Sequence, residues 1–104
     1  MENDLIRQTA HVLLDMLSTQ QIEGDAVKER AARTAVLRLN EIGAISLIVD
    51  DEAGTRDLDI SALLYGSSAL TWSLMKLLEQ DGNSIDNQII ALRDHMDRNY
   101  PSAR

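Results

Sequence analysis

Residues 44–60, AISLIVDDEAGTRDLDI, interrupt a chain whose apolar residues otherwise recur at steps of three and four. AISLIVD is rich in β-branched side chains and has no helical stripe, EAGT carries a turn glycine, and RDLDI alternates acids facing out with Leu58 and Ile60 facing in. Alternation with a period of two places acids on one side of a strand and aliphatic groups on the other. The segment therefore predicts a short β-hairpin, against the alternative of a loop with one extended stretch. Helical patterns flank it on both sides. The expectation is a mainly α (α+β) fold, a small helical domain of order α-α-β-β-α-α with one central β-hairpin.

In NDLIRQTAHVLLDMLSTQQ the residues Leu5, Ile6, Ala10, Leu13, Leu14, Met16 and Leu17 predict a helix over about 3–20. Gly24 and Asp25 then punctuate the chain. Asp25 is placed to accept from free backbone amides as the N-cap of a helix over about 25–42, and Gly43 is its expected left-handed stop. Beyond the hairpin, at about 44–60, Ser61 can cap a helical region over about 61–81, with GSS at 66–68 as a candidate break. Gly82 closes that region. Ser84 caps a last helix over about 84–99, in which Ile85, Ile89, Leu92 and Met96 form a stripe ahead of Pro101. Both ends read as helix, glycine-bearing turn, helix, but their residues do not align beyond that outline.

At 104 residues the chain is sized for a single domain, 1–104, and a helical chain this small often completes its core by dimerising. With no Phe, one Trp and two Tyr, that core must be aliphatic. Seventeen acids against ten bases give a net charge of −7 and a pI near 4.6, which on average repels nucleic acid and anionic membranes. The acidity is local: residues 1–22 carry −2, 23–43 are neutral, 44–61 carry −4 and the remainder −1. The absence of cysteine excludes disulfide and thiolate chemistry and fits a cytoplasmic protein. MENDLIRQ is too acidic and too amphipathic for a signal peptide, and no apolar run reaches membrane-spanning length.

A helix ending in LNEIGAI, a strand, an acidic turn with glycine and a second strand opening on an arginine together resemble the recognition helix and wing of winged-helix regulators, over residues 25–61. The resemblance implies DNA binding, with Lys28, Arg30, Arg33 and Arg38 on phosphates or base edges and Arg56 in the minor groove or on the backbone. The residues themselves point elsewhere. At about 100° per residue, Val27, Ala31, Ala35, Leu39 and Ile42 share one side, and only Arg30 and Arg33 fall together opposite, among Leu37, Asn40 and Glu41. Glu29 stands four residues before Arg33 and can pair with it. The wing sets Asp50, Asp51, Glu52, Asp57 and Asp59 against Arg56 alone, whereas DNA affinity comes from neutralising phosphates. Residues 21–24 also leave no room for the further helix that the motif places before its recognition helix.

Catalytic patterns are weak. DDEAGTRDLD does not match the ligand register of a calcium loop. His11 and Asp15 can share a helical face as an oriented base, but no nucleophile stands at a recognisable spacing, and YGSS lacks the strand-to-helix nucleophile pattern. His95 stands alone near Asp94 and Asp97, and the five glycines are scattered singly, which gives no phosphate cradle. No enzyme activity, cofactor or metal is expected.

SALTWSLMKLLEQ is more informative. Its projection puts Leu70, Leu74, Leu77 and Leu78 on one side and Trp72 and Met75 about opposite, beside Glu79. A helix apolar on two sides is either central in its own domain or engaged by another chain. On the last helix, Ile90 stands away from the stripe. These features predict a small acidic regulatory or adaptor protein of bacterial or phage type. It would act as a homodimer through the helices after the hairpin, bind another protein by Trp72, Met75 and Ile90, and steer a basic partner surface with Asp50, Asp51, Glu52, Asp57 and Asp59. Two alternatives accompany this: a winged-helix-like DNA-binding regulator using Arg30, Arg33 and Arg56, and an inhibitor that mimics nucleic acid with its carboxylates.

Overall fold

The computed structural model of the chain describes residues 3–21 and 24–102. It contains α1 (Asn3–Ser18), α2 (Asp25–Glu41), β1 (Ser46–Asp50), β2 (Thr55–Asp59), α3 (Ser61–Gln80) and α4 (Ile85–Asn99), in the expected order α-α-β-β-α-α. A 3-10 turn, Thr19–Gln21, prolongs α1. Residues 22 and 23, in the stretch too short for an additional helix, lie outside the described residues. The chain divides into two compact units, Met1–Leu70 and Thr71–Arg104, so the first half of α3 belongs to one and the second half to the other.

The first unit uses the face that periodicity marks on α2, whereas on α1 it buries Thr9 and Val12, outside the predicted stripe, and leaves Leu14 and Leu17 of that stripe exposed. Val12, Ala35, Leu39, Ala44 and Ala62 are buried together, and Leu5, Met16, Ile42, Ile45 and Leu63 pack around them. Three of the five are alanines, so most of the burial energy rests on Val12 and Leu39, at about 1.5–3 kcal/mol each. Leu39 also ends α2. The Ala44 amide donates to the Leu39 carbonyl at 2.8 Å and the Gly43 amide to the Asn40 carbonyl at 3.1 Å, closing the helix around Gly43 at φ 82°. That conformation suits glycine, and the closure brings Leu39 and Ala44 into one contact.

Local details differ from expectation at three places. GSS does not break α3, which runs through Gly66. A Cβ on Gly66 would lie 2.5 Å from Thr9 Cγ2, so the missing side chain serves a close helix–helix approach. Thr9 is fully buried there and satisfies its hydroxyl by donating to the Leu5 carbonyl at 2.7 Å. Asp25 is the first residue of α2 and makes no capping hydrogen bond, the N-cap position falling on Gly24. Ser61 is likewise already helical, and Asp59 holds the start of α3 by accepting from the Ser61 amide at 2.9 Å.

The second unit pairs the end of α3 with α4. Gly82 turns the chain, and Ser84 caps α4 as expected, its hydroxyl accepting from the Asn87 amide at 3.2 Å. Met75 and Gln88 are its buried residues among those described. The Gln88 side-chain amide donates to the carbonyls of Met75 and Asn83, at 2.9 Å each, and so ties α4 to α3 and to the turn. Its Oε1 is buried without a partner.

Candidate interaction surfaces

The pairing of the hairpin sorts its side chains. Leu47 lies opposite Leu58 and Val49 opposite Arg56, while Ser46, Ile48 and Asp50 face Asp59, Asp57 and Thr55. Directly opposite residues share a face and neighbours along a strand alternate. Leu47, Val49, Leu58 and Arg56 therefore form one face, and Ile48, Asp50, Asp57 and Asp59 lie on the other, with Asp51 and Glu52 in the turn. The alternation legible in RDLDI holds, but its apolar side is not turned into a core. Leu47 is 61% and Leu58 63% exposed, and Val49 and Ile60 are also exposed. A two-stranded ribbon with an uncovered apolar face is only marginally stable in water by itself.

The five carboxylates assigned to steering are not equivalent. Asp51, Glu52 and Asp57 are exposed to solvent. Asp50 organises the turn, its Oδ1 accepting from the Ala53 amide at 3.1 Å. Asp59 belongs to the start of α3: the Ser61 amide, and then the Ser61 hydroxyl, hold its carboxyl below the usual range. Sequence reasoning gave Asp59 to the outer surface. A signal was available in the placement of an acid two residues before a helical serine.

Trp72, Met75 and Ile90 do not form one patch. Met75 is 8% exposed and sits at the α3–α4 contact. Trp72 is 54% exposed, with the Lys76 ammonium 5.8 Å from its ring centroid and Lys76 in turn 2.7 Å from Glu79. Ile90 is 66% exposed, and at two residues from Gln88 it lies on the side of α4 turned away from Met75. What Met75 does line is a shallow groove in the second unit, with Thr71 beside it on α3 and Ile89, Leu92, Met96 and the charged Arg93 and Asp97 along α4. Of the predicted stripe, Ile89, Leu92 and Met96 line this groove while Ile85 does not, and those three remain exposed.

The arginines proposed for DNA stand apart from one another chemically. Arg33 donates to Glu29 at 2.6 Å on α2, the pair their spacing allows, and Arg30 is exposed nearby. Beside them α2 exposes Val36 and Leu37, which makes that surface partly apolar. Arg56 lies across the hairpin from Val49. Of the catalytic candidates, Asp15 accepts from Arg38 at 2.6 Å, an α1–α2 ion pair, in place of serving His11. Asp94 pairs with Arg98, and His95 contacts Asn99. Among the described residues no helix is long and apolar enough to cross a membrane.

Comparison of the chain with family models, with curated proteins and with solved structures returns no match.

Proposed function

We propose that this chain is a small, acidic, non-enzymatic regulatory or adaptor module of the cytoplasm that acts by binding another protein. The observation that carries the reading is the uncovered aliphatic face of the hairpin, Leu47, Val49 and Leu58. Its other face and turn hold carboxylates, so the complementary surface is an apolar patch with a basic rim. Apolar contact supplies affinity, and Asp51, Glu52 and Asp57 raise the on-rate and select the partner by charge. Trp72 and Ile90, both exposed, offer further apolar contact on the second unit. Nucleic acid is the weaker reading, because a phosphate backbone would meet the carboxylates of the hairpin tip before Arg56.

The test is affinity capture from a nuclease-treated lysate of the source cell, with the wild-type chain and with a Leu47→Thr/Leu58→Thr variant. Threonine keeps strand propensity and removes the apolar surface. The reading expects a protein that survives nuclease and is lost with the variant. Equal capture by both chains would remove the hairpin as the binding site. Recovery of nucleic acid alone from untreated lysate would favour Arg30, Arg33 and Arg56, and capture of a nucleic-acid-binding protein released by added DNA would favour mimicry by the carboxylates.

A further inference from the structure

We infer that the outer edge of β2 is a strand-addition site, and that its occupant is an extended segment of another protein in which basic and aliphatic side chains alternate. This rests on reading the hairpin as a protein-binding surface, and it names how the partner is held.

The backbone leaves this edge open. The sheet has two strands, so β1 and β2 each keep one outer edge. In an antiparallel pair alternate residues turn their amide and carbonyl toward the facing strand, and those between them turn both outward. Thr55, Arg56, Asp57 and Leu58 are exposed, and among the described residues no backbone group of β2 bonds outside the ribbon. Such an edge is a template for another strand, which supplies main-chain hydrogen bonds. Two strands alone are marginally stable in water, and a third that carries an apolar face adds to their stability.

The side chains beside the edge specify what fits. The register with β1 puts Thr55, Asp57 and Asp59 on one face of β2 and Arg56 and Leu58 on the other. A strand laid along β2 meets them in directly opposed pairs, and such pairs are the unit of sheet stability. An aliphatic residue beside Leu58 prolongs the apolar face, a base beside Asp57 neutralises it, and an acid beside Arg56 completes the match. Asp59 takes a second base more weakly, because its carboxylate already accepts from the Ser61 amide.

Charge selects the occupant. Charged side chains on an edge strand ordinarily keep other strands away. Residues 44–61 carry −4, so a strand of like sign is rejected and one that brings bases is drawn in. A second copy would bring its own Asp57 and Asp59, or its own Asp50, to this edge and is disfavoured. The outer edge of β1 differs, since Leu47, Ile48 and Val49 hold no charge that distinguishes one strand from another.

A capped peptide containing Lys-Val-Lys-Glu-Thr, the antiparallel complement of β2, tests this when titrated into the full chain and followed by backbone amide exchange. Alternate amides of Thr55–Asp59 should gain protection while those of β1 do not. Replacing the second lysine of the peptide by glutamate should weaken binding by about tenfold, and Asp57→Lys should reverse that preference. Two further peptides, N-methylated at one or the other set of alternate residues, separate strand addition from attraction between charges. Methylation of the set turned toward β2 should abolish binding, and methylation of the other set should leave it. Equal binding by both methylated peptides, protection along β1 in place of β2, or no protection of β2 with peptide in large excess overturns the inference. Partner capture distinguishes its failure from failure of the reading beneath it. A partner lost with Leu47→Thr/Leu58→Thr and kept by Asp57→Lys overturns edge pairing alone, and a partner kept by both variants overturns the reading as well.

Discussion

The hairpin and the α4 stripe both leave aliphatic side chains uncovered, yet their electrostatic settings are opposite in consequence. Leu47, Val49 and Leu58 sit on a ribbon whose other face and tip are acidic, whereas Ile89, Leu92 and Met96 lie in a unit with five acids and four bases. Exposed apolar area indicates that a surface is to be covered. Charge indicates by what. A one-signed surface favours a partner of the opposite sign, and a balanced one tolerates an identical copy. The hairpin carries that one-signed bias and the second unit does not.

The largest expected effect tests whether the first unit has a core of its own. Leu39 is buried with Val12, Ala35, Ala44 and Ala62 and shapes the end of α2. Leu39→Ala should lower unfolding free energy by about 2–4 kcal/mol, through lost burial and the cavity left behind. Urea denaturation measures this, and the loss should be the same at low and high protein concentration. A loss that varied with concentration would mean that this core is completed by another copy.

Gly66→Ala follows in size. The new Cβ would lie 2.5 Å from Thr9 Cγ2 and 2.7 Å from Thr9 Cβ, on a residue with no exposed surface along which to retreat. Overpacking costs about 1–3 kcal/mol, offset by up to about 1 kcal/mol of helix propensity gained on leaving glycine. A net loss of roughly 1–2 kcal/mol is expected in thermal unfolding. Stabilisation would show that α1 is free to shift away from α3.

Gly66 also marks the limit of what the sequence discloses. Element order and the core stripe of α2 follow from spacing alone, because Val27, Ala31, Ala35, Leu39 and Ile42 obey the helical period. The fate of Gly66 depends on Thr9, 57 positions earlier in the chain. Local pattern reads the glycine as a break, and only tertiary approach makes it a contact. The interaction surface was half legible for the same reason. Alternation identifies which residues of RDLDI share a face, but whether that face meets a helix or solvent is decided by neighbours that the pattern does not specify. Met75 and Trp72 fall close together on a helical projection, and α4 separates them by covering one and leaving the other beside Lys76.

Smaller still is the stability effect expected at the hairpin. Leu47→Thr/Leu58→Thr removes one cross-strand apolar pair, so stability should fall by no more than about 1 kcal/mol while partner capture is lost. Differential scanning calorimetry against the wild type reads the first and the capture experiment the second. A loss of several kcal/mol would place the hairpin face inside a folded assembly of this chain and move it to the other side of the comparison.

The smallest effect separates two roles among the carboxylates. Asp59 accepts from the Ser61 amide at 2.9 Å, and this bond, followed by that of the Ser61 hydroxyl, lowers its pKa. A group with its folded pKa below the unfolded value stabilises fully above the unfolded pKa, and that contribution is lost as pH falls through the folded one. The start of α3 should therefore loosen in acid, below the ordinary carboxylate range, as read by backbone amide exchange at Ser61–Leu64. Asp59→Ala should lower the protection factors of these amides at neutral pH and abolish their further loss in acid. Asp57→Ala, on the same hairpin face, should leave exchange in α3 unchanged and slow association with a basic partner, more at low salt than at high salt. If Asp59→Ala slowed association as much as Asp57→Ala while α3 stayed protected, Asp59 would belong to the recognition surface and the helix would be held by other means.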